Sequence, residues 1–159
     1  MSDYRFMCPD AQDWGILRQI ADIDAQAFGT DGISVFNLSQ FTRSGSVFCL
    51  IDDKNKVVAE TVLLRNIHDD GAVVFGFAVD ETRHGQGLGA ILMRYLVRLA
   101  IDSGLAWLEL TVNPNNLAAM KLYMEKSGFY KMAELSDHPQ KMEPRWLLRL
   151  DLHHAKSSQ

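Results

Sequence analysis

The chain has little of what would mark several protein classes. Its two cysteines, Cys8 and Cys49, among 159 residues are too few for a disulfide framework and show no metal spacing. Both read as reduced, partly buried thiols. No apolar run is long enough to span a bilayer, and Met1-Ser2-Asp3-Tyr4-Arg5 lacks the pattern of a signal peptide. A soluble cytoplasmic protein with no membrane partner is the expectation. Basic clusters are missing too. Sixteen Lys and Arg against twenty Asp and Glu leave a net charge of −4, which argues against nucleic acid and is compatible with a cationic amine as substrate. The histidines form no i, i+4 pair of the kind that holds zinc, so no metal is expected.

What is present is ordinary hydrophobic content, 47% in 17.9 kDa, with no linker and no internal repeat. That fits a single domain over residues 1–152, followed by a frayed polar tail at 153–159. Tyr4 to Cys8 reads as a first strand, and Asp10 as the cap of a helix reaching Phe28 along a stripe of Trp14, Leu17, Ile20 and Ala21. A shorter helix is expected around Ser34 to Thr42. Ser46 to Ile51, Val57 to Arg65 and Ala72 to Val79 read as three antiparallel strands. The third is poor enough in polar residues to predict burial on both faces in mid-sheet. From Leu88 the apolar positions Ile91, Leu92, Tyr95, Leu96, Leu99 and Ala100 form a helical stripe that Gly104 ends. Ala106 to Val112 is then a strand parallel to the third, through a right-handed crossover. Asn116 caps a last helix closing at Gly128, and Phe129 to Leu135 and Arg145 to Leu152 supply two final strands.

Between the third strand and the amphipathic helix stands His84-Gly85-Gln86-Gly87-Leu88-Gly89-Ala90. Glycines there let the backbone take positive φ and approach a ligand, and the free N–H groups of the helix start attract phosphate. A P-loop is excluded, because Ala90, Ile91 and Leu92 follow the last glycine where Lys-Ser/Thr is needed. A dinucleotide fingerprint, Gly85-x-Gly87-x-x-Ala90 with Glu109 about 20 residues on, is the nearer rival. Its glycines should follow the strand at once, whereas Asp80 to His84 intervene.

A second motif, Asn116-x-x-Ala119-x-x-Leu122-Tyr123 with Gly128-Phe129, decides between these readings. Val79, His84-x-x-Gly87-x-Gly89 and this second motif, in this order and spacing, resemble the two signature motifs of the GNAT superfamily of N-acetyltransferases. The match covers about Val73 to Phe129. The resemblance implies an α/β (α+β) fold. Its mixed, mostly antiparallel central sheet would have about seven strands, flanked by about four helices and splayed in a V to admit the cofactor. It also implies acetyl-coenzyme A as acetyl donor and a primary amine of a small molecule or peptide as acceptor. Backbone N–H groups from Gly85 through Gln86, Gly87, Leu88 and Gly89 to Ala90 would bind the pyrophosphate, while the pantetheine arm lies along Phe77, Ala78 and Val79. A main-chain N–H near Val79 would stabilise the oxyanion, a role typically worth about 3 kcal/mol of barrier. Asn116 would contact the cofactor, and Tyr123, seven residues along the same helical face, would protonate the departing thiolate.

Two positions depart from the family pattern. His84 stands where the family usually carries Arg or Gln; it can donate to phosphate when protonated, and Arg83 can supply charge beside it. Thr111 stands twelve residues before Tyr123, where some protein-acetylating members carry a glutamate base, and threonine cannot play that part. Glu60, in mid-strand, and Glu109 are the remaining carboxylate candidates, with a water relay as the third route. For Asn116 an N-cap and a cofactor contact are compatible. The alternative reading is a non-catalytic module that senses acetyl-coenzyme A. The acceptor stays open, and dimers through the C-terminal strands are familiar in the family.

Overall fold

In chain order the elements are β1 (Arg5–Met7), α1 (Trp14–Phe28), α2 (Val35–Arg43), β2 (Val47–Ile51), β3 (Val57–Arg65), β4 (Gly71–Val79), α3 (Leu88–Asp102), β5 (Trp107–Val112), α4 (Leu117–Met120), β6 (Tyr130–Leu135) and β7 (Arg145–Asp151). The structure, a computed structural model, describes residues 3–135 and 143–152; the tail expected at 153–159 lies outside them. The strands form one seven-stranded sheet in the order β1-β2-β3-β4-β5-β7-β6. Its β4–β5 pair is parallel, while β1–β2, β2–β3, β5–β7 and β6–β7 are antiparallel. The parallel pair follows from the helix that links the two strands, because only a crossover can return the chain in the same direction. The chain divides into two compact units with boundaries at Leu64/Arg65, Val73/Val74 and Tyr95/Leu96.

In the first unit, α1 and α2 cover one face of β2 and β3 through Leu17, Ile20, Ile23, Leu38, Val47, Cys49, Val57 and Val62. Leu88 and Leu92, at the start of α3, pack with Leu50, Val58 and Ala59 in a second cluster. Two sequence expectations change here. Asp13, rather than Asp10, caps α1: its Oδ1 accepts from Ile16 N–H at 3.2 Å, while Asp10 closes the turn before it by accepting from Gln12 N–H at 2.8 Å. That turn carries Trp14 into solvent, 45% exposed, so the buried stripe begins at Leu17. The strand enclosed along its whole length is β2, with nearly all of β3, and not β4. In β4 the pleat alternates: Ala72, Val74, Gly76 and Ala78 are buried, whereas Val73 and Phe75 are exposed. A continuous apolar run does not distinguish a strand covered on both faces from one whose second face is left open.

In the second unit, β5 pairs with β7 from Trp107↔Asp151 to Val112↔Trp146, and Leu108, Leu110, Val112 and Leu148 are buried. The Trp107 indole donates to Asp69 Oδ2 at 3.1 Å, and the Arg149 guanidinium lies 4.7 Å from its ring centre. Gly71 is what makes room for that indole, since a Cβ there would fall 1.8 Å from Trp107 Cε2. Gly71→Ala is therefore expected to cost about 3 kcal/mol, the upper part of the usual overpacking range. For a chain of this length that is a fall of roughly 6–12 °C in Tm, read by circular dichroism. A Tm unchanged within a degree would mean that the indole has another resting place.

Candidate functional site

The glycine segment is presented by a turn stapled on several sides. Asp80, at the end of β4, donates its N–H to Val58 O at 2.9 Å. Its Oδ1 accepts from Thr82 N–H and from Thr82 Oγ1–H, both at 3.0 Å. This caps a 3-10 turn at Glu81–Arg83, and Glu81 N–H donates to Gln26 Oε1 of α1 at 2.9 Å. Arg83 Nη2 is 2.9 Å from Asp52 Oδ2 in the β2–β3 turn. The buried Asp52 carboxyl is held below its ordinary pKa, first by Lys56 N–H, then by Lys54 N–H and by Arg83, against the opposing pull of burial. Arg83, a candidate for charge toward phosphate, is thus paired inside the protein.

Beyond this turn Gly85 and Gly87 take φ of +81° and +76°, and nothing lies within 4 Å of where a Cβ would stand on either. Only glycine adopts this backbone without strain. The two positions make an open cradle whose last residue leads directly into the fifteen-residue α3. Ile91 N–H donates to Gly87 O at 3.2 Å, and the burial of Leu88 and Leu92 fixes the first turn of the helix. Gly85 to Ala90 therefore place main-chain N–H groups at the positive end of a helix dipole, the chemistry that suits a pyrophosphate without lysine.

His84, expected to face phosphate, has its Nε2 3.0 Å from Val79 O. Phe77 and Val79 pack partly against the Leu50–Leu92 cluster, and Ala78 belongs to the α1–α2 cluster. The ladder with β5 takes in Gly71–Val73 of β4, and Phe77 to Val79 run on beyond it.

In the second unit Asn116 is the N-cap of α4, with Oδ1 accepting from Ala119 N–H at 3.2 Å. The helix expected through Gly128 is not regular. After Met120 the chain enters a π-helical turn, Lys121–Lys126, which Ser127 Oγ–H closes by donating to Leu122 O at 2.7 Å. Phe129 N–H reaches back to Tyr123 O at 2.9 Å, and Gly128 sits at φ +83°. The wider turn alters the 3.6-residue phase by which Asn116 and Tyr123 were expected to share a face, and such turns recur at functional sites. Tyr123 is buried, with its ring 6.0 Å from that of Phe129.

The two carboxylate candidates are engaged or enclosed. Arg149 Nε donates to Glu109 Oε1 at 2.9 Å, and Nη2 adds a second, shorter bond to the same oxygen. Glu60 is fully enclosed on β3, opposite Cys49. Burial, then the charge of Asp24 and a loose carboxyl–carboxyl contact with it, push the Glu60 pKa well above the ordinary carboxylate range. Asp24 itself was not anticipated, although it lies seven residues from Leu17 and four from Ile20, on the buried stripe of α1. Its Oδ2 accepts from Ile33 N–H at 2.6 Å and so pins the turn between α1 and α2. Thr111 Oγ1 accepts from Arg145 Nη2 at 3.1 Å. Among the described residues no group of three or more His, Cys, Asp or Glu side chains is placed to hold a metal ion, and no helix is long and apolar enough to cross a membrane.

The family model described as "Acetyltransferase (GNAT) family" matches residues 14–129. Homo sapiens N-acetyltransferase 8B is 28% identical over 131 residues, covering 80% of this chain and 54% of that protein. The chain thus spans about half the length of the curated relative it matches. The crystal structure of the ribosomal-protein-S18-alanine N-acetyltransferase from Escherichia coli superposes with a TM-score of 0.79 at 21% identity, covering 99% of both chains. A chain of the NatC complex bound to Gag peptide and CoA gives 0.83 at 18% identity, covering 95% of this chain and 99% of that one. Likeness at these identities is a likeness of fold.

Proposed function

The chain belongs to the GNAT acetyltransferase family, and from that membership we propose that it moves an acetyl group from acetyl-coenzyme A directly to a primary amine of a small molecule or peptide. The observation that carries this reading is the open cradle at Gly85 and Gly87, both at positive φ with no atom near the Cβ positions, at the foot of α3. Main-chain N–H groups of residues 85–90 hold the pyrophosphate, and the backbone of Phe77 to Val79 orients the pantetheine arm. When bound, the donor supplies an acetyl thioester. Val79 N–H donates to the oxygen on which negative charge develops, and the Tyr123 hydroxyl gives its proton to the departing sulfur. Asn116 contacts the donor while capping α4. With Glu109 in the grip of Arg149 and Glu60 sealed in the core, the acceptor's ammonium gives up its proton to water, and the free amine then attacks. Acceptor choice is assigned to residues 28–42 and to the C-terminal strands, and residues 1–152 act as one acetyltransferase domain.

A thermal-shift comparison of acetyl-coenzyme A, coenzyme A, NADH and ATP at matched concentrations tests the donor. At about 100 times its Kd a ligand adds about 2.7 kcal/mol, a shift of a few degrees, and that gain is expected for the two coenzyme A ligands alone. A shift with NADH only would return the glycine segment to the dinucleotide reading. Thiol release that requires an added amine then separates transfer from acetyl-coenzyme A sensing.

A further inference from the structure

The peptide joining Val79 to Asp80 is trans, like every described peptide bond, so its C=O and N–H point in opposite directions. The Asp80 N–H is spent on Val58 O of β3. The Val79 carbonyl therefore faces away from β3, toward the side on which the β5 ladder has already ended at Val73. In an extended residue the N–H and C=O share one edge, so the Val79 N–H faces the same way. This edge is the one assigned above to the donor's arm, and His84 Nε2 lies on it, 3.0 Å from Val79 O.

We propose that His84 is an internal occupant of the donor strand: its imidazole donates to the Val79 carbonyl in place of an amide of the pantetheine arm, and must release that carbonyl before the arm can seat. The proposal rests on the donor reading above. His84 then sets the affinity for the arm, and its role as a phosphate contact falls away.

The surrounding turn makes this occupancy a built feature. Asp80 caps the turn through Thr82, Arg83 is tied to Asp52, and Glu81 is tied to Gln26. The Cα of His84 is thereby fixed five residues from the carbonyl its ring reaches. The side chain is exposed, so release needs only rotation about the side-chain bonds, which is fast and needs no backbone movement.

The test is calorimetric titration of parent, His84→Ala and His84→Gln with three probes: coenzyme A, 4′-phosphopantetheine and adenosine 3′,5′-bisphosphate. For His84→Ala, affinity for 4′-phosphopantetheine and coenzyme A is expected to rise about three- to ten-fold, the range set by one neutral hydrogen bond removed from competition. Adenosine 3′,5′-bisphosphate should bind unchanged. His84→Gln keeps a donor in place and should stay nearer the parent. Weaker binding of all three probes by His84→Ala would make His84 a phosphate ligand and overturn the proposal. Unchanged binding of all three would show the Val79 bond to be without consequence, and overturns it equally. A parent that binds no coenzyme A refutes the donor reading itself and this inference with it, an outcome distinct from both.

Discussion

Tyr123→Phe is expected to lower amine-dependent thiol release by about 100-fold or more, within the usual contribution of a positioned general acid, with little change in coenzyme A affinity. Packing decides what the variant keeps. The ring is buried and tilted against Phe129 at 6.0 Å, and phenylalanine preserves that contact and its apolar area, so the variant should fold like the parent. What it removes is the hydroxyl, and with it the exchangeable proton. A phenol, with a reference pKa of about 10, can protonate a thiolate whose conjugate thiol lies near 8.5 only if it is held in position. The π-helical turn at Lys121–Lys126 bears on that positioning. It gives residue 123 a direction that a regular helix from Asn116 would not. Rates near the parent's, in a variant of unchanged Tm, would make Tyr123 a core tyrosine and leave the thiolate to be protonated by water.

How much of this was legible in the sequence depends on whether a feature is local. The glycines at 85 and 87 announce their positive φ, because no other residue adopts it cheaply. Ser34 and Asn116 announce helix starts, because a side-chain oxygen three residues before an unpaired N–H is a local device. The parallel β4–β5 pair followed from a single helix between strands. Long-range pairing was opaque. Nothing adjacent to Arg83 shows that its partner is Asp52, thirty-one residues earlier, and nothing near Glu109 predicts Arg149, forty residues later. A wide helical turn was equally hidden, since no proline or glycine within Lys121–Lys126 marks it. Glu60 stood out as a charge in an apolar strand. Its companion did not, because one aspartate in a helix with exposed Asp22 and Asp13 reads as part of a solvated face.

Glu60→Gln is expected to make the protein more stable than the parent by a margin that widens with pH, at up to about 1.4 kcal/mol per pH unit. The enclosed carboxyl is pushed above its ordinary range, first by burial, then by the Asp24 charge and by contact with that carboxyl. Its neighbours offer no relief. Neither Glu60 oxygen nor Asp24 Oδ1 has a formed hydrogen bond among the described residues. Opposite on β2, the Cys49 thiol is pushed up to about 12, first by burial, then by Cys8, Glu60 and Asp13. The folded protein therefore keeps a proton on Glu60 that the unfolded chain gives up near the ordinary carboxylate value. Below that value both states hold the proton, its stabilising contribution is fully present, and the variant should resemble the parent. As pH rises from there toward the folded-state pKa, the folded state binds more protons than the unfolded one, so the parent loses stability throughout that window. Glutamine has no proton to lose, and its stability curve lacks this slope. Urea titrations of both proteins between pH 4 and pH 9 measure the difference directly. Parallel pH profiles would mean that Glu60 ionises inside the fold as readily as outside it, with a counter-charge or water reaching between α1 and β3.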